Sequence, residues 1–231
     1  PHPYRYWLAL HPDIHRPIGG VKQMHRLAEA LNTLGREAKI IQDNASFHPG
    51  WFKSDVLTIS LSDFRSLPDL SSNRDVVILP ETFLASLPRY APGIPKLIFN
   101  QNGSYSFGFK KGDGFPGPDE VLKLYLHPDI KHVLCISSHD EMLLKNAFLL
   151  GDRRVSRLIN GIETKLFRPS GYKKRIISYM PRKNSKDSSI VAAFLKQQEW
   201  FLKSGWALQP ISGLPQKQVS EILQKSLIFL A

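Results

Sequence analysis

The sequence lacks several features that would place it in common classes of protein. A single cysteine, Cys135, among 231 residues excludes an internal disulfide and a cysteine-rich zinc site. Its position in an apolar run predicts a buried, unreactive thiol. No apolar run approaches the roughly 20 residues of a membrane-spanning helix, and residues 7–10 are too few for the core of a signal peptide. These absences favour a cytoplasmic protein.

Short catalytic motifs are also missing. There is no Gly-x-Ser-x-Gly, no P-loop and no Asp-x-Asp, so hydrolase, P-loop nucleotidase and metal-dependent transferase functions lack their residues. His11, Asp13 and His15 have the spacing H-x-D-x-H, but adjacent prolines and the lack of a helical pattern argue against zinc. We therefore predict no metal site.

Acidic residues are too few to balance the basic ones. The chain has 31 Lys and Arg against 20 Asp and Glu, a net charge of +11. Residues 152–186 alone carry eleven basic and two acidic side chains. Such a patch could attract nucleic acid, anionic lipid or a diphosphate, or be a solvated surface without a partner.

Short apolar runs alternate with helical patterns along the chain, and 42% hydrophobic residues suffice for a core. Apolar residues at three- and four-residue steps predict an amphipathic helix over 21–34 that ends at Gly35. A capping box of Ser138 and Glu141 predicts another helix, as far as about Phe148. The predicted strands are residues 6–10, 38–42, 56–60, 75–79, 96–100, 132–136 and 153–158. The alternation predicts βαβ units and parallel sheets.

The pattern stops and restarts at residues 160–169, NGIETKLFRP. Asn-Gly favours a turn, and Pro169 ends regular structure. Strands are predicted again at 175–179, 207–209 and 227–231, with helices at 187–203 and 216–225. We predict two doubly wound α/β domains, 1–169 and 170–231, the second with too few elements to cover its sheet.

Four segments in order resemble family 4 glycosyltransferases, which have the GT-B fold of two Rossmann-like domains. They are PIGGVKQMHRLAEALNTLGREAKI, VLCISSHDEM, NGIETKLFRP and RIISYMPRK. The resemblance implies a retaining, metal-independent hexosyltransferase of polysaccharide biosynthesis that needs no cofactor beyond its UDP- or GDP-linked sugar. The acceptor would be a hydroxyl of a glycan, a lipid-linked molecule or a small molecule. In place of the usual Asp, Glu163 follows the NGI turn.

Family members bind the donor through an E-G-F-G-L-P…E segment, which would come after residue 231. The resemblance therefore implies a C-terminally truncated chain that lacks part of its donor site, so that the activity of this polypeptide alone is in question.

Candidate donor residues lie at two strand ends. Gly19 and Gly20 follow the first strand and open the first helix, where free N–H groups favour an anion, although a tight turn would use the same glycines. Arg182, Lys183 and Lys186 follow the first strand of the second domain and could stabilise a leaving diphosphate. The resemblance implies Arg182 and Lys186 as the catalytic cations, with Lys183 as a donor contact.

Candidate acceptor residues follow the strand 96–100 and lie in the first loop. Side chains able to hydrogen-bond a sugar there are Asn100, Gln101, Asn102, Tyr105 and His11. Many family members have a histidine in the 99–107 region, which this chain lacks, and a plain polar loop is the alternative. Pro80 and Glu81 end another strand at the same predicted edge of the sheet, and they are weaker candidates for the site.

The competing hypothesis is a non-enzymatic basic α/β module that binds nucleic acid or another anionic partner. Against it, aromatic residues are not interleaved with the basic run as base-stacking platforms would be, so no nucleic-acid partner is expected. The expected partners are a nucleotide-sugar donor and a glycan or lipid-linked acceptor. An anionic surface on the cytoplasmic face of the inner membrane is a further candidate partner.

Overall fold

Parallel strands alternate with helices through the chain, as the sequence predicts. A computed structural model describes residues 4–108, 116–152, 154–182 and 184–230. The chain divides into two compact units, Pro1–Asn160 and Gly161–Ala231. The division falls within the Asn-Gly turn that opens the segment NGIETKLFRP, and each unit has its own sheet.

The first unit is built on a seven-stranded sheet in the order β3-β2-β1-β4-β5-β6-β7, with every pairing parallel. Its strands are β1 Arg5–Ala9, β2 Glu37–Gln42, β3 Thr58–Ser60, β4 Asp75–Pro80, β5 Lys96–Asn100, β6 Ile130–Cys135 and β7 Val155–Arg157. Its α-helices are α1 Gly19–Thr33, α2 Leu61–Arg65, α3 Pro118–Tyr125 and α4 Ser138–Met142. Two 3₁₀ helices, Glu81–Arg89 and Gly103–Phe107, and a π-helical turn, Leu143–Ala147, complete the described elements.

Both faces of this sheet are buried. Trp7 and Val77 belong to one apolar cluster, whereas the next residues along their strands, Leu8 and Ile78, belong to a second cluster that also holds Met24 of α1. Because successive strand side chains point to opposite faces, the two clusters must lie on opposite sides of the sheet. Burial on both faces is typical of a doubly wound parallel sheet.

The strand order reverses next to β1. The chain runs from β1 outward to β2 and β3, and then returns to form β4 on the other side of β1. Such a reversal leaves a crevice beyond the carboxyl ends of the two central strands, where α/β proteins of this kind bind ligands. The candidate site is therefore expected beyond β1, β4 and their neighbours.

The second unit has a three-stranded parallel sheet in the order β10-β8-β9. Its elements are β8 Lys174–Tyr179, α5 Ser185–Gln197, α6 Glu199–Lys203, β9 Ala207–Pro210, α7 Gln216–Lys225 and β10 Ser226–Leu230. None of the described α5 side chains is buried, and Phe229 of the edge strand β10 is 44% exposed. Apolar surface thus stays open in this unit.

All the predicted strands are present, with ends that agree within two residues over the described chain. The prediction of a doubly wound parallel α/β fold is confirmed. No described helix combines the length and the apolar composition needed to cross a bilayer.

Two helix predictions were wrong in detail. The cap of α4 is Ser137 rather than Ser138: its Oγ accepts the Asp140 N–H at 3.0 Å and donates to the Asp140 carboxylate at 2.6 Å. A capping residue needs an extended backbone, which residue 137 has, with φ −134° and ψ 158°. The helix 187–203 is two helices, because Gln198 has an extended ψ of 122° that separates α5 from α6.

Candidate active site

Two predicted site loops touch each other beyond the carboxyl ends of β1 and β5. The Gln101 Nε2 donates to the carbonyl oxygen of Gly20 at 3.3 Å. A Cβ on Gly20 would lie 3.1 Å from Gln101 Oε1, tighter than an ordinary contact, whereas one on Gly19 would meet no described atom within 4 Å. Glycine at position 20 therefore allows the close approach of the Gln101 side chain, and Gly19 leaves open space beside the helix start.

The start of α1 has no side-chain cap. Its capping residue is Ile18, and its first turn contains no acidic residue. First-turn N–H groups of an α-helix have no partner within the helix and carry the positive end of its dipole. The backbone at Gly19 and Gly20 can therefore donate to an anionic or hydroxyl-bearing ligand.

A buried carboxyl group, Glu81, holds the loop that follows β5 (residues 101–107, the β5 loop) from the β4 side. Glu81 is 3% exposed, and its Oε2 accepts the Gln101 backbone N–H at 3.0 Å. Burial raises the Glu81 pKa to about 7; backbone hydrogen bonds, that of Gln101 the strongest, act in the opposite direction, and the charge of Asp140 raises it further. Glu81 was not among the predicted site residues, although its place at a strand end was a weak signal.

A second carboxyl group, Asp140, holds the same loop from the β6 side. Asp140 Oδ1 accepts the Gly103 N–H at 2.8 Å, and Asp140 is buried. A Cβ on Gly103 would collide with Leu143 Cδ2 and lie 3.1 Å from Asp140 Oδ1. The β5 loop is thus fixed on both sides by carboxyl groups that follow the neighbouring strands β4 and β6.

The predicted acceptor residues of this loop differ in exposure. Asn100 is fully buried, and its Nδ2 donates to Ser106 Oγ at 3.0 Å and Tyr125 OH at 2.7 Å. Asn102 is exposed and caps the following 3₁₀ helix through the Ser104 N–H at 3.1 Å. The Tyr105 ring is 48% exposed. Gln101, Asn102 and Tyr105 are accessible to a ligand, whereas Asn100 lies beneath the loop.

His11, which follows β1, belongs to a cluster of aromatic side chains with Phe83 and Tyr90. Its Nε2 contacts the Tyr90 hydroxyl, its ring centroid is 5.0 Å from that of Phe83, and its Nδ1 is 3.8 Å from Asp43 Oδ1. Burial lowers the His11 pKa; the charges of Arg65 and Arg89 lower it too, while Asp43 and Asp13 raise it. At neutral pH His11 is therefore an uncharged hydrogen-bonding group.

The three residues of the H-x-D-x-H motif do not meet at one point. Asp13 accepts the backbone N–H groups of Asp43 and Asn44, both at 3.1 Å, and His15 packs edge-on against Phe47. Within the described ranges no three His, Cys, Asp or Glu side chains are placed to hold a metal ion.

The Cys135 thiol is buried, and burial raises its pKa to about 11. The thiolate that a nucleophile needs is therefore scarce at neutral pH, in agreement with the prediction of an unreactive thiol.

The predicted catalytic cations belong to the second unit. Arg182 lies in the turn after β8 and Lys186 in the first turn of α5, and both side chains are exposed. Lys183 lies outside the described residues. Cations are unfavourable at the positive end of a helix. Asp187 in the same turn offsets one of these two charges, and the remaining positive charge would stabilise an anion there.

Comparison with known proteins relates the fold to sugar transferases. No protein-family model matches the chain, and no curated protein sequence matches it significantly. Among solved structures, the chain is similar to sucrose-phosphate synthase from Thermosynechococcus elongatus, with a TM-score of 0.63 and 9% identity over 98% of this chain and 74% of that one.

Two further structures are similar at the same level. The lipopolysaccharide outer core galactosyltransferase WaaB in its apo form gives a TM-score of 0.58 and 11% identity, over 98% of this chain and 73% of that one. An alpha-glucosyltransferase in complex with UDP gives 0.53 and 12% identity, over 97% and 72%. At such identities the likeness concerns the fold, and it confirms the prediction of a GT-B-like α/β fold.

Proposed function

We propose that this chain is a glycosyltransferase that moves a sugar from a UDP- or GDP-linked donor to an acceptor hydroxyl. The observation that carries the proposal is the contact between Gln101 and Gly20 at the strand-order reversal, in a fold shared with sugar transferases. One loop there offers backbone N–H groups and the other offers amide and phenol groups. Together they suit a phosphorylated sugar and its hydroxyl-bearing partner.

The finer assignment rests on the resemblance of four sequence segments to family 4 enzymes. It supports a retaining hexosyltransferase that needs neither a metal ion nor another cofactor. In this proposal 1–169 is the acceptor-side domain and 170–231 belongs to the nucleotide-sugar domain.

Each site residue has a proposed role. Backbone groups of Gly19 and Gly20 contact the donor, and Arg182 with Lys186 stabilises the negative charge of the departing diphosphate, with Lys183 as a further donor contact. Gln101, Asn102, Tyr105 and His11 hydrogen-bond the acceptor. Asn100 supports the loop from below, since its amide nitrogen donates to Ser106 and Tyr125.

The acceptor is proposed to be a glycan, a lipid-linked molecule or a small molecule. WaaB, which shares the fold, is by name a transferase of the lipopolysaccharide outer core. We propose a cytoplasmic protein that reaches lipid-linked acceptors by contact with an anionic inner-membrane surface. Flotation with anionic liposomes should carry the chain upward, and equal flotation with neutral liposomes would contradict a charge-based contact.

The second candidate function is a non-enzymatic module for nucleic acid or another anion. The second unit favours it, because residues 161–231 contain twelve basic and four acidic residues. An alpha-glucosyltransferase of similar fold has been solved with both UDP and a 13-mer DNA, so a sugar transferase can also hold DNA.

Calorimetry separates the two functions. The chain is titrated with UDP, GDP and a short oligonucleotide at two salt concentrations, and transfer is assayed from a panel of UDP- and GDP-hexoses. The transferase proposal expects saturable nucleotide binding that changes little with salt. Oligonucleotide binding with a steep salt dependence, together with no response to nucleotides or sugar donors, would contradict it.

A further inference from the structure

A cleft with two arginines opens in the first unit beside α2. Its volume is about 380 Å³, and its lining consists of Arg65, Leu70, Pro88, Arg89, Ala91 and Pro92. That volume suits a small organic ligand. Among the residues that line it there is no carboxylate, so two cations and four apolar side chains define its chemistry.

The two arginines are tied together by the fold. Arg65 is the last residue of α2, and its Nε donates to the main-chain carbonyl of Arg89 at 3.2 Å. Arg89 is the last residue of the 3₁₀ helix that begins with Glu81. A basic residue at a helix C-terminus is ordinary, but this accounts for each arginine alone and not for their convergence on one cleft.

Neither guanidinium has an ion-pair partner among the described residues. Within the described chain, Arg65 and Arg89 form no ion pair, although several other arginines do. Two like charges on one cleft repel each other, and a bound anion would relieve that repulsion. Two guanidinium groups also offer more N–H donors than a single carboxylate accepts, which favours a phosphate.

The charges of both arginines extend to the predicted acceptor region. Burial raises the Tyr90 pKa, and Arg65 and Arg89 lower it; the same two arginines lower the pKa of His11, the Tyr90 partner. The two arginines of the cleft therefore lie close enough to His11 and Tyr90 to affect the pKa values of both.

One wall of the cleft is held in a strained conformation. Ala91 has φ +45°, which residues with a side chain rarely adopt. Its carbonyl accepts the Nζ of buried Lys96 at 3.0 Å, and the same Nζ binds Asp129 Oδ2 at 2.9 Å. A strained residue that the core holds in place is a frequent mark of a binding site.

We propose that this cleft binds the phosphate group of a phosphorylated acceptor. The guanidinium groups of Arg65 and Arg89 donate hydrogen bonds to the phosphate oxygens. Leu70, Pro88 and Pro92 then contact the carbon part of the molecule. The identification of the ligand as the acceptor rests on the proposed transferase function, whereas phosphate binding in the cleft does not. The phosphate could belong to a soluble sugar phosphate or to a lipid headgroup.

Binding is measured by calorimetry and by amide NMR shifts, with glucose 6-phosphate, inorganic phosphate and glucose as probes. We expect glucose 6-phosphate to bind and to shift the amides of Arg89 and Ala91, and glucose to have no effect. Arg65→Gln and Arg89→Gln should each weaken binding about tenfold or more. Arg36→Gln removes the same charge from an exposed site of the same unit and should leave affinity unchanged.

Further results would either identify the source of the phosphate or contradict the proposed site. Vesicles containing phosphatidic acid that bind in an Arg65- and Arg89-dependent way would assign the phosphate to a lipid. Equal weakening by Arg36→Gln would show non-specific attraction and overturn the site, as would the absence of any phosphate response in a chain with a wild-type NMR spectrum. Sugar transfer is assayed in parallel, so a transferase without phosphate binding contradicts the cleft alone.

Discussion

The two units place their candidate functional groups in opposite ways. In the first unit the β5 loop is fixed by two buried carboxyl groups, Glu81 and Asp140, and rests on a sheet covered on both faces. In the second, Arg182 in the turn after β8 and Lys186 in α5 are both exposed, in a unit whose three-stranded sheet has exposed apolar side chains. The candidate residues of the first unit are thus held in place by packing and buried hydrogen bonds. Those of the second unit are charged side chains exposed to solvent.

The largest effect is expected from the exposed cations. Arg182→Ala with Lys186→Ala should lower the transfer rate about 10²–10³-fold, because the leaving diphosphate loses its stabilising charges. The unfolding midpoint should not move, since both side chains are exposed. Transfer kinetics and thermal unfolding of the same variant measure the two quantities.

A matched variant tests whether position or total charge matters. Lys217→Ala with Lys225→Ala removes two exposed cations from α7 of the same unit. An equal loss of transfer in this variant would contradict a diphosphate-binding role for Arg182 and Lys186.

The next effect concerns a buried ion pair of the first unit. The fully buried Lys96 donates to Asp129 and to the carbonyl oxygens of Ala91 and Ile94, all within 3.0 Å. Lys96→Met removes these three hydrogen bonds and leaves the Asp129 carboxylate without its buried cation, so it should lower the free energy of unfolding by about 3 kcal/mol. Urea denaturation measures the loss.

The exposed pair Lys203–Glu199 of the second unit is the control for that experiment. Lys203→Met should change the stability by less than about 0.5 kcal/mol, as is usual for surface pairs. Similar losses in the two variants would remove the contrast between the units.

A smaller effect is expected from a close approach in the β5 loop. Gly103→Ala places a methyl group against Leu143 and Asp140 and should lower the stability by about 2 kcal/mol through overpacking. Gly19→Ala, where a Cβ meets no described atom within 4 Å, should be nearly neutral. A neutral Gly103→Ala would show that the loop adapts easily and is not held as described.

An effect of similar size is expected in the dependence of stability on pH. Because burial raises the folded-state pKa of Glu81 from 4.5 to about 7, ionisation of Glu81 weakens the fold as the pH rises through this interval. Glu81→Gln removes that penalty, so the variant should gain about 2 kcal/mol relative to wild type between pH 5 and pH 8. Urea denaturation at both pH values measures the gain.

The buried histidine His25 should give a dependence of stability on pH with the opposite sign. Burial, and then the charge of His48, lowers the pKa of His25 from 6.5 to about 4, so the wild type loses stability as the pH falls through that range. His25→Gln should therefore gain relative to wild type at acid pH. Two variants with slopes of the same sign would contradict one of the two assignments.

Much of the fold was predictable because its signals are local. The alternation of apolar runs and helical periods located every strand of both sheets, and Gly35, with φ +73°, ends α1 as predicted. Ser137 was missed because two adjacent serines differ only in backbone conformation. Helices α2 and α3 were missed because they are too short to show a period.

The site was predictable at the level of loops but not of individual side chains. Asn100 and Gln101 are adjacent and chemically alike, yet the first is buried against Tyr125 and the second reaches Gly20. The burial of Glu81 comes from loops twenty and more residues away, and the convergence of Arg65 and Arg89 depends on two helices ending together. Such long-range contacts leave no mark on a local pattern.

The contact between Gln101 and Gly20 has a consequence for how two ligands would affect each other. Through its backbone Gln101 is bound to Glu81, and through its side chain it is bound to the loop that opens α1. A ligand that binds one loop and fixes its conformation therefore also stabilises the conformation in which the other loop binds its ligand. Thermodynamic linkage requires the effect to be reciprocal: each ligand raises the affinity for the other by the same factor.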